Sequence, residues 1–279
     1  MAVTVAVATE AETIGSSISA VESDPPRVVV LGASNVARGM RTIVKVARKQ
    51  FQSPIDFYFS YAHGRSYGIR SSVGWWSYPS ILQSGIWNAL HANGTQDLVT
   101  VALVTDVGND ILYGASPDQI ANWIRDVIGR LQQIHARVVL TELPIASVET
   151  LGAVRFQLMK AILFPKCLFN LEEVLVRARR LNESLKKIAN EMQVGMVCPD
   201  DAWYGVDPIH IRRRMMTDAW RSYLQPLATH VCSVEHAIEP LKQELFLHPS
   251  PARWNTFGRE RTASQPSRTL FDGSQLHRF

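Results

Sequence analysis

The chain has little of what metal, redox or disulfide centres are made from. Its three cysteines, Cys167, Cys198 and Cys232, are spread too widely for a Cys-x-x-Cys site and are odd in number. They read as buried thiols, not ligands or bridges. No metal and no cofactor is expected. No apolar run reaches the roughly 18 residues that a membrane helix needs. The N-terminus lacks the basic region of a secretory signal, and the mildly apolar residues 2–8 are cut short by Glu10 and Glu12. A cytoplasmic location is the expectation. Aromatic and basic residues do not interleave as a single-strand platform requires, so no nucleic-acid partner is expected either.

A dinucleotide fingerprint is also missing. The run Val28-Val29-Val30-Leu31-Gly32 starts like one, but the places two and five residues beyond Gly32 hold Ser34 and Ala37. The spacing of three and six meets Asn35 and Arg38 instead. A Rossmann-like nucleotide-binding domain is therefore a minor alternative.

What is present is an ordinary globular composition, 46% hydrophobic and 19% charged, with a net charge of +4. The basic excess lies at 177–180, at 212–214 and from residue 253 onward, and reads as wet helix faces plus a tail. Residues 1–25 are small, polar and acidic without periodicity, and read as a disordered leader. Residues 26–245 form one domain, and 246–279 read as a flexible basic tail. Inside the domain, apolar runs at 27–31, 55–61, 98–105, 137–142 and 195–198 alternate with helical patterns near 36–50, 120–134, 171–192 and 217–231. That rhythm predicts a three-layer α/β/α domain around a five-stranded, doubly wound sheet.

Four short words carry candidate chemistry: Gly32-Ala33-Ser34-Asn35, Gly64-Arg65-Ser66, Gly108-Asn109-Asp110 and Asp207-Pro208-Ile209-His210. Three of them follow predicted strands one to three, where open α/β sheets bind ligands. Ser34 reads equally as a helix N-cap or as a nucleophile at a positive helix end. Gly64 is either a turn glycine or a bare backbone donor, and Asn109 is either an Asx turn or a side-chain donor. Asp207 and His210 are either a surface pair or a base with its orienting acid. Together they make the inventory of a serine acyl-transfer enzyme.

In this order and spacing, the four words resemble the SGNH hydrolases, the GDSL-like esterase and lipase superfamily. The segment from Arg180-Leu181-Asn182 through Ile188-Ala189-Asn190-Glu191 to Val194-Gly195-Met196-Val197 is similar to that family's stretch before its last block. The resemblance covers about residues 27–230. It implies a flavodoxin-like parallel sheet of order 2-1-3-4-5, with Ser34 as nucleophile, His210 as base and Asp207 as its partner. It also implies an oxyanion hole of the Ser34 N–H, the Gly64 N–H and the Asn109 amide. The expected substrate is a small acyl ester or acetylated sugar; Trp75 and Trp76, which follow the Gly64 loop, either line an acyl or sugar site or pack under that loop. A catalytically inactive binding module is the alternative. The chain departs from the family in having Ala33 where Asp usually precedes the serine and Val107 where Gly usually stands. Ile211-Arg212-Arg213-Arg214 also replaces the usual small or polar residues after the histidine.

Overall fold

The computed structural model describes residues 25–51, 54–73, 75–92, 98–164, 167–228 and 249–279. The expected leader lies outside these, apart from Pro25. In chain order the strands are β1 (Arg27–Leu31), β2 (Asp56–Ser60), β3 (Ser71–Val73), β4 (Trp76–Tyr78), β5 (Thr100–Val104), β6 (Arg137–Thr141) and β7 (Gly195–Val197), then β8 (Arg253–Thr256), β9 (Arg259–Thr262), β10 (Arg268–Thr269) and β11 (Gln275–Arg278). The helices are α1 (Ser34–Gln50), α2 (Ile86–Ala92), α3 (Asn109–Leu112), α4 (Pro117–Gln133), α5 (Ile145–Glu149), α6 (Ala153–Leu163), α7 (Leu171–Glu191) and α8 (Met216–Ala228).

The main sheet runs β10-β11-β2-β1-β5-β6-β7, and every pairing in it is parallel except β10 with β11. β1 and β5 are buried along their whole length, as expected of central strands covered on both faces. Their side chains alternate between two cores. Val29, Leu31, Ala102 and Val104 pack beneath α2, α4 and α7. Val28, Val30, Val101 and Leu103 pack beneath α1 and α8. A Cβ on Gly39 would stand 2.2 Å from the Trp220 indole nitrogen, so α1 and α8 approach closely only because that residue is glycine. The predicted start of α4 is a capping box, with Ser116 and Gln119 exchanging side-chain and backbone bonds ahead of Pro117 at the first turn.

Three expectations need correction. The sheet has seven strands, not five, and a second antiparallel sheet of order β3-β4-β8-β9 stands beside it. Residues 249–279 are not a flexible tail, because they supply β8 to β11. β11 lies in register against β2, from Gln275 opposite Asp56 to Arg278 opposite Phe59. Leu276 there is fully buried, and Arg48 on α1 pairs with Asp272 in the preceding turn at 2.6 Å. The segment buries its apolar residues singly, at Leu270, Leu276 and Phe279, so it carries too short a pattern to read as strands. Cys198, finally, is exposed just past β7, while Cys167 is buried; Cys232 lies outside the described residues. Among the described residues no helix is long and apolar enough to cross a membrane.

β11 also carries a buried histidine. His277 is 6% exposed, stacks on Tyr58 at a centroid distance of 4.4 Å, and leaves Nε2 without a partner. Burial, then the nearby Arg27 charge, pushes its pKa down to about 4. Between that value and the unfolded value of 6.5, the unfolded chain binds more protons. Stability therefore falls as pH drops from 6.5 toward 4, then levels off. Denaturant unfolding of wild type and His277→Phe at pH 7.5 and pH 5 should show wild type losing on the order of 1–2 kcal/mol relative to the variant. A pH-independent difference would refute this account of the imidazole.

Candidate active site

The site begins where β1 ends. Gly32 N–H still bonds to the Ser60 carbonyl at 3.1 Å, after which the chain turns at Ala33 and enters α1 at Ser34. Ala33 has no side chain with which to cap this helix. Asp106, just past β5, takes over that role. Its Oδ2 accepts the Ala33 and Asn35 N–H groups, each at 2.9 Å, and the Val36 N–H at 3.4 Å. A carboxylate at a helix N-terminus is favoured both by these unpaired donors and by the dipole. Asp106 reaches this position with φ of 60°, a conformation that short polar side chains tolerate best.

Asn35 carries the constraint onward. Its Nδ2 donates to Asp106 Oδ1 at 2.8 Å and to the Ile209 carbonyl at 2.9 Å, and its Oδ1 accepts the Ile211 N–H at 2.9 Å. One amide thus grips the backbone on both sides of His210. The loop is also stitched downstream, where Arg212 N–H bonds to the Trp203 carbonyl at 2.9 Å.

Held this way, His210 Nε2 lies 2.8 Å from Ser34 Oγ, and Nδ1 lies 2.7 Å from Asp207 Oδ2. The other Asp207 oxygen accepts the Ile209 and His210 N–H groups at 3.3 and 3.2 Å. Arg38 Nη1 stands 3.5 Å from Asp207 Oδ2. Burial alone would raise the Asp207 pKa, but the His210 hydrogen bond and charge, the Ile209 N–H and Arg38 outweigh it and hold the carboxyl below its usual value. An ionised Asp207 can only accept, so Nδ1 carries the proton and Nε2 is left to accept from the serine hydroxyl.

Of the two other words, Asn109 lines the same cavity as Ser34, whereas Gly64 is not among its lining residues. Gly64 adopts φ of 63° in the turn after β2, and its carbonyl accepts the Tyr113 hydroxyl at 2.5 Å. Asn109 opens α3, and its buried Nδ2 has no partner. The Ser34 and Gly64 N–H groups likewise make no hydrogen bond among the described residues. Asp110 joins the words, accepting the Ser66 hydroxyl and the Tyr67 N–H, the latter at 3.0 Å. Burial pushes its pKa up to about 6, although both bonds oppose the shift.

Ser34 and Asn109 line a cavity of about 100 Å³ whose far walls are apolar, among them Val107, Leu143, Ile145, Val148, Phe156 and Val174. The stretch after β6 contributes walls through α5 and α6. Trp75 and Trp76 do not line this cavity. They stand on the small sheet, 72% and 54% exposed, because the hairpin they open pairs with β8 instead of folding over Ser34. The sequence reading did not single out Asp106 or Asn35. The signal was an acid three residues before Asn109 in a chain with no acid before its serine. Among the described residues, no group of His, Cys, Asp and Glu is arranged to hold a metal ion.

No protein-family model matches the chain, and no curated relative matches it. Solved structures do. The inhibitor-bound aryl esterase of M. smegmatis superposes with a TM-score of 0.52 at 11% identity, covering 73% of this chain and 99% of that one. The acetyl xylan esterase AlAXEase superposes with a TM-score of 0.50 at 12% identity, covering 72% and 99%. Both likenesses concern the fold. The chain shares the fold of these two esterases.

Proposed function

We propose that this protein is a serine hydrolase that cleaves a carboxylic ester through an acyl-enzyme on Ser34. The observation that carries the reading is the continuous series Ser34–His210–Asp207 beside a buried Asn109 amide with no partner. Ser34 Oγ attacks the ester carbonyl carbon as its proton passes to His210 Nε2. The negative charge that develops on the carbonyl oxygen is met by Asn109 Nδ2 and by the Ser34 and Gly64 N–H groups, donors with no partner to release first. Collapse breaks the bond to the alcohol oxygen, which takes the proton from His210. Water then repeats the cycle, freeing the acid and restoring the serine. Asp207 keeps the imidazole in one tautomer and stabilises its charged form.

The substrate side follows from the cavity. Its apolar walls favour an aliphatic acyl chain over a bare acetyl group, since each buried methylene is worth about 0.8 kcal/mol. In a series of p-nitrophenyl esters, kcat/KM should rise with acyl length and then fall. Val148→Trp, which narrows the cavity, should move the optimum to a shorter chain. An optimum fixed at acetyl in both proteins would remove the acyl-pocket assignment.

Labelling with a fluorophosphonate, followed by peptide mapping, tests the nucleophile. The adduct is expected on the Ser34 peptide and lost in Ser34→Ala; an adduct elsewhere, or none at an accessible site, sinks the proposal. Asn109→Ala should lower kcat by on the order of 10²–10³ with KM within a few fold, because its bond forms only in the transition state. Asp106→Ala should leave the serine turn uncapped, lowering stability by roughly 1–2 kcal/mol and kcat by about tenfold or more. Wild-type kcat in a folded Asp106→Ala protein would show that the turn holds without it.

A further inference from the structure

We infer that the strand Gln275–Arg278 and the buried side chain of Arg65 are positioning elements for the oxyanion donor at Gly64; the inference rests on the hydrolase reading above. β11 contributes nothing to the serine–histidine series or to the walls of its cavity. Its far end instead meets the turn that carries Gly64. Residues 62–65 close on themselves through Arg65 N–H to the Ala62 carbonyl at 3.2 Å, with Gly64 as the third residue at φ of 63°. A third residue with positive φ belongs to a type II turn. Type I and type II turns share their end points and differ chiefly by a flip of the central peptide, here His63–Gly64. That peptide carries the Gly64 N–H. A flip would point this donor the opposite way while leaving the turn closed, so what fixes the peptide fixes the oxyanion hole.

The contacts that hold the turn converge from three stretches of chain. Arg65 is 1% exposed. Its Nη1 donates to the Phe279 main-chain oxygen, its Nε donates to the Pro79 carbonyl at 3.1 Å, and its backbone closes the turn. Ser60 Oγ also reaches the Phe279 main-chain oxygen, at 3.3 Å, and Phe279 N–H bonds to the Phe59 carbonyl at 2.8 Å. Arg278 lies over the Tyr61 ring at 4.3 Å and donates to the Tyr61 carbonyl at 3.5 Å. On the other side, Tyr113 holds the Gly64 carbonyl. Without β11, β2 would be the open edge of the parallel sheet and would run straight into an unbraced turn. Burying a guanidinium is costly unless several partners fix its geometry. Arg65 has two, through Nε and Nη1, while its buried Nη2 has none among the described residues, and one of the two is lost if the C-terminal strand undocks.

The test compares Arg65→Met, Arg65→Lys and Arg278→Leu with a control, Arg48→Met. The control breaks the Asp272 ion pair that anchors the same C-terminal segment beside the other end of β2. Each variant is assayed with a p-nitrophenyl ester, with the matching thionoester, and for its rate of fluorophosphonate labelling at Ser34, all well below its Tm. Arg65→Met and Arg278→Leu are expected to lower kcat and labelling rate by about 10- to 100-fold, with KM within a few fold. They should also shrink the preference for the oxygen ester over the thionoester, a signature of a loosened oxyanion hole. Arg65→Lys should recover part of the loss, and Arg48→Met should lose stability without losing kcat. The inference is overturned if Arg278→Leu, which removes a partly exposed side chain, keeps wild-type kcat and thionoester discrimination. It is overturned equally if Arg48→Met loses kcat as much as the Arg65 and Arg278 variants do. Absence of Ser34 labelling in wild type would instead overturn the hydrolase reading itself.

Discussion

A single carboxylate sets the geometry on which the site depends. Asp106 gathers three backbone N–H groups at the start of α1 and, through its second oxygen, orients Asn35. The first contact fixes where Ser34 leaves the strand. The second fixes the Asn35 amide, which in turn grips the carbonyl of Ile209 and the N–H of Ile211. His210 lies between those two residues and has no freedom to drift from the serine. Ser34 and His210 are 176 residues apart in the chain, yet they are joined by a network with one anion at its root. An anion suits that place because the unpaired donors and the positive helix end both favour it.

The same network explains how the chain dispenses with an acid before its serine. At position 33 a carboxylate would cap the helix from within its own turn. Here Ala33 is fully buried and contributes only its backbone, the N–H to Asp106 and the carbonyl to Ala37 N–H, while the carboxylate arrives from just past the neighbouring strand. The requirement is physical, an acceptor for the first-turn donors, and a different residue can meet it from a different direction. Val107 is explained similarly. Its side chain is buried and lines the cavity, and the unusual backbone conformation falls one residue earlier, at Asp106.

Much of the fold was legible because its strands and helices announce themselves locally. The unbroken apolar run of β1, the stripe of α4 and the Ser116-Pro117 start each depend on neighbours in sequence, and each is present as read. Three of the four words stand out for the same reason, since each sits just past a strand end. Contacts that depend on partners far away were not legible. Asp106 reads as one acid in a turn until Ala33 and Asn35, more than 70 residues earlier, are brought against it. The C-terminal strands buried too few apolar residues in too short a span to show a period. Trp75 and Trp76 were misplaced because two adjacent tryptophans beside a glycine turn suggest a pocket wall, whereas pairing with β8 turned them outward.

Three aspartates, Asp207, Asp110 and Asp106, illustrate how environment divides labour. Asp207 faces His210 and Arg38 and is held as a carboxylate, so it is available to orient an imidazole and to stabilise its positive form. Asp110 is enclosed away from cations, and burial shifts it toward the neutral acid, with a pKa of about 6. It serves instead as an acceptor that ties the Ser66–Tyr67 backbone to the turn bearing Asn109. Asp106 meets backbone donors. Under the proposed acyl-transfer chemistry, Asp207 is placed to answer positive charge on His210, since it bonds the ring nitrogen that does not face Ser34. Asp106 lines the same cavity as Ser34, but its Oδ2 is already engaged by three N–H groups around the start of α1 and its Oδ1 by Asn35. The N–H groups left for a developing oxyanion are those that Asp106 does not hold.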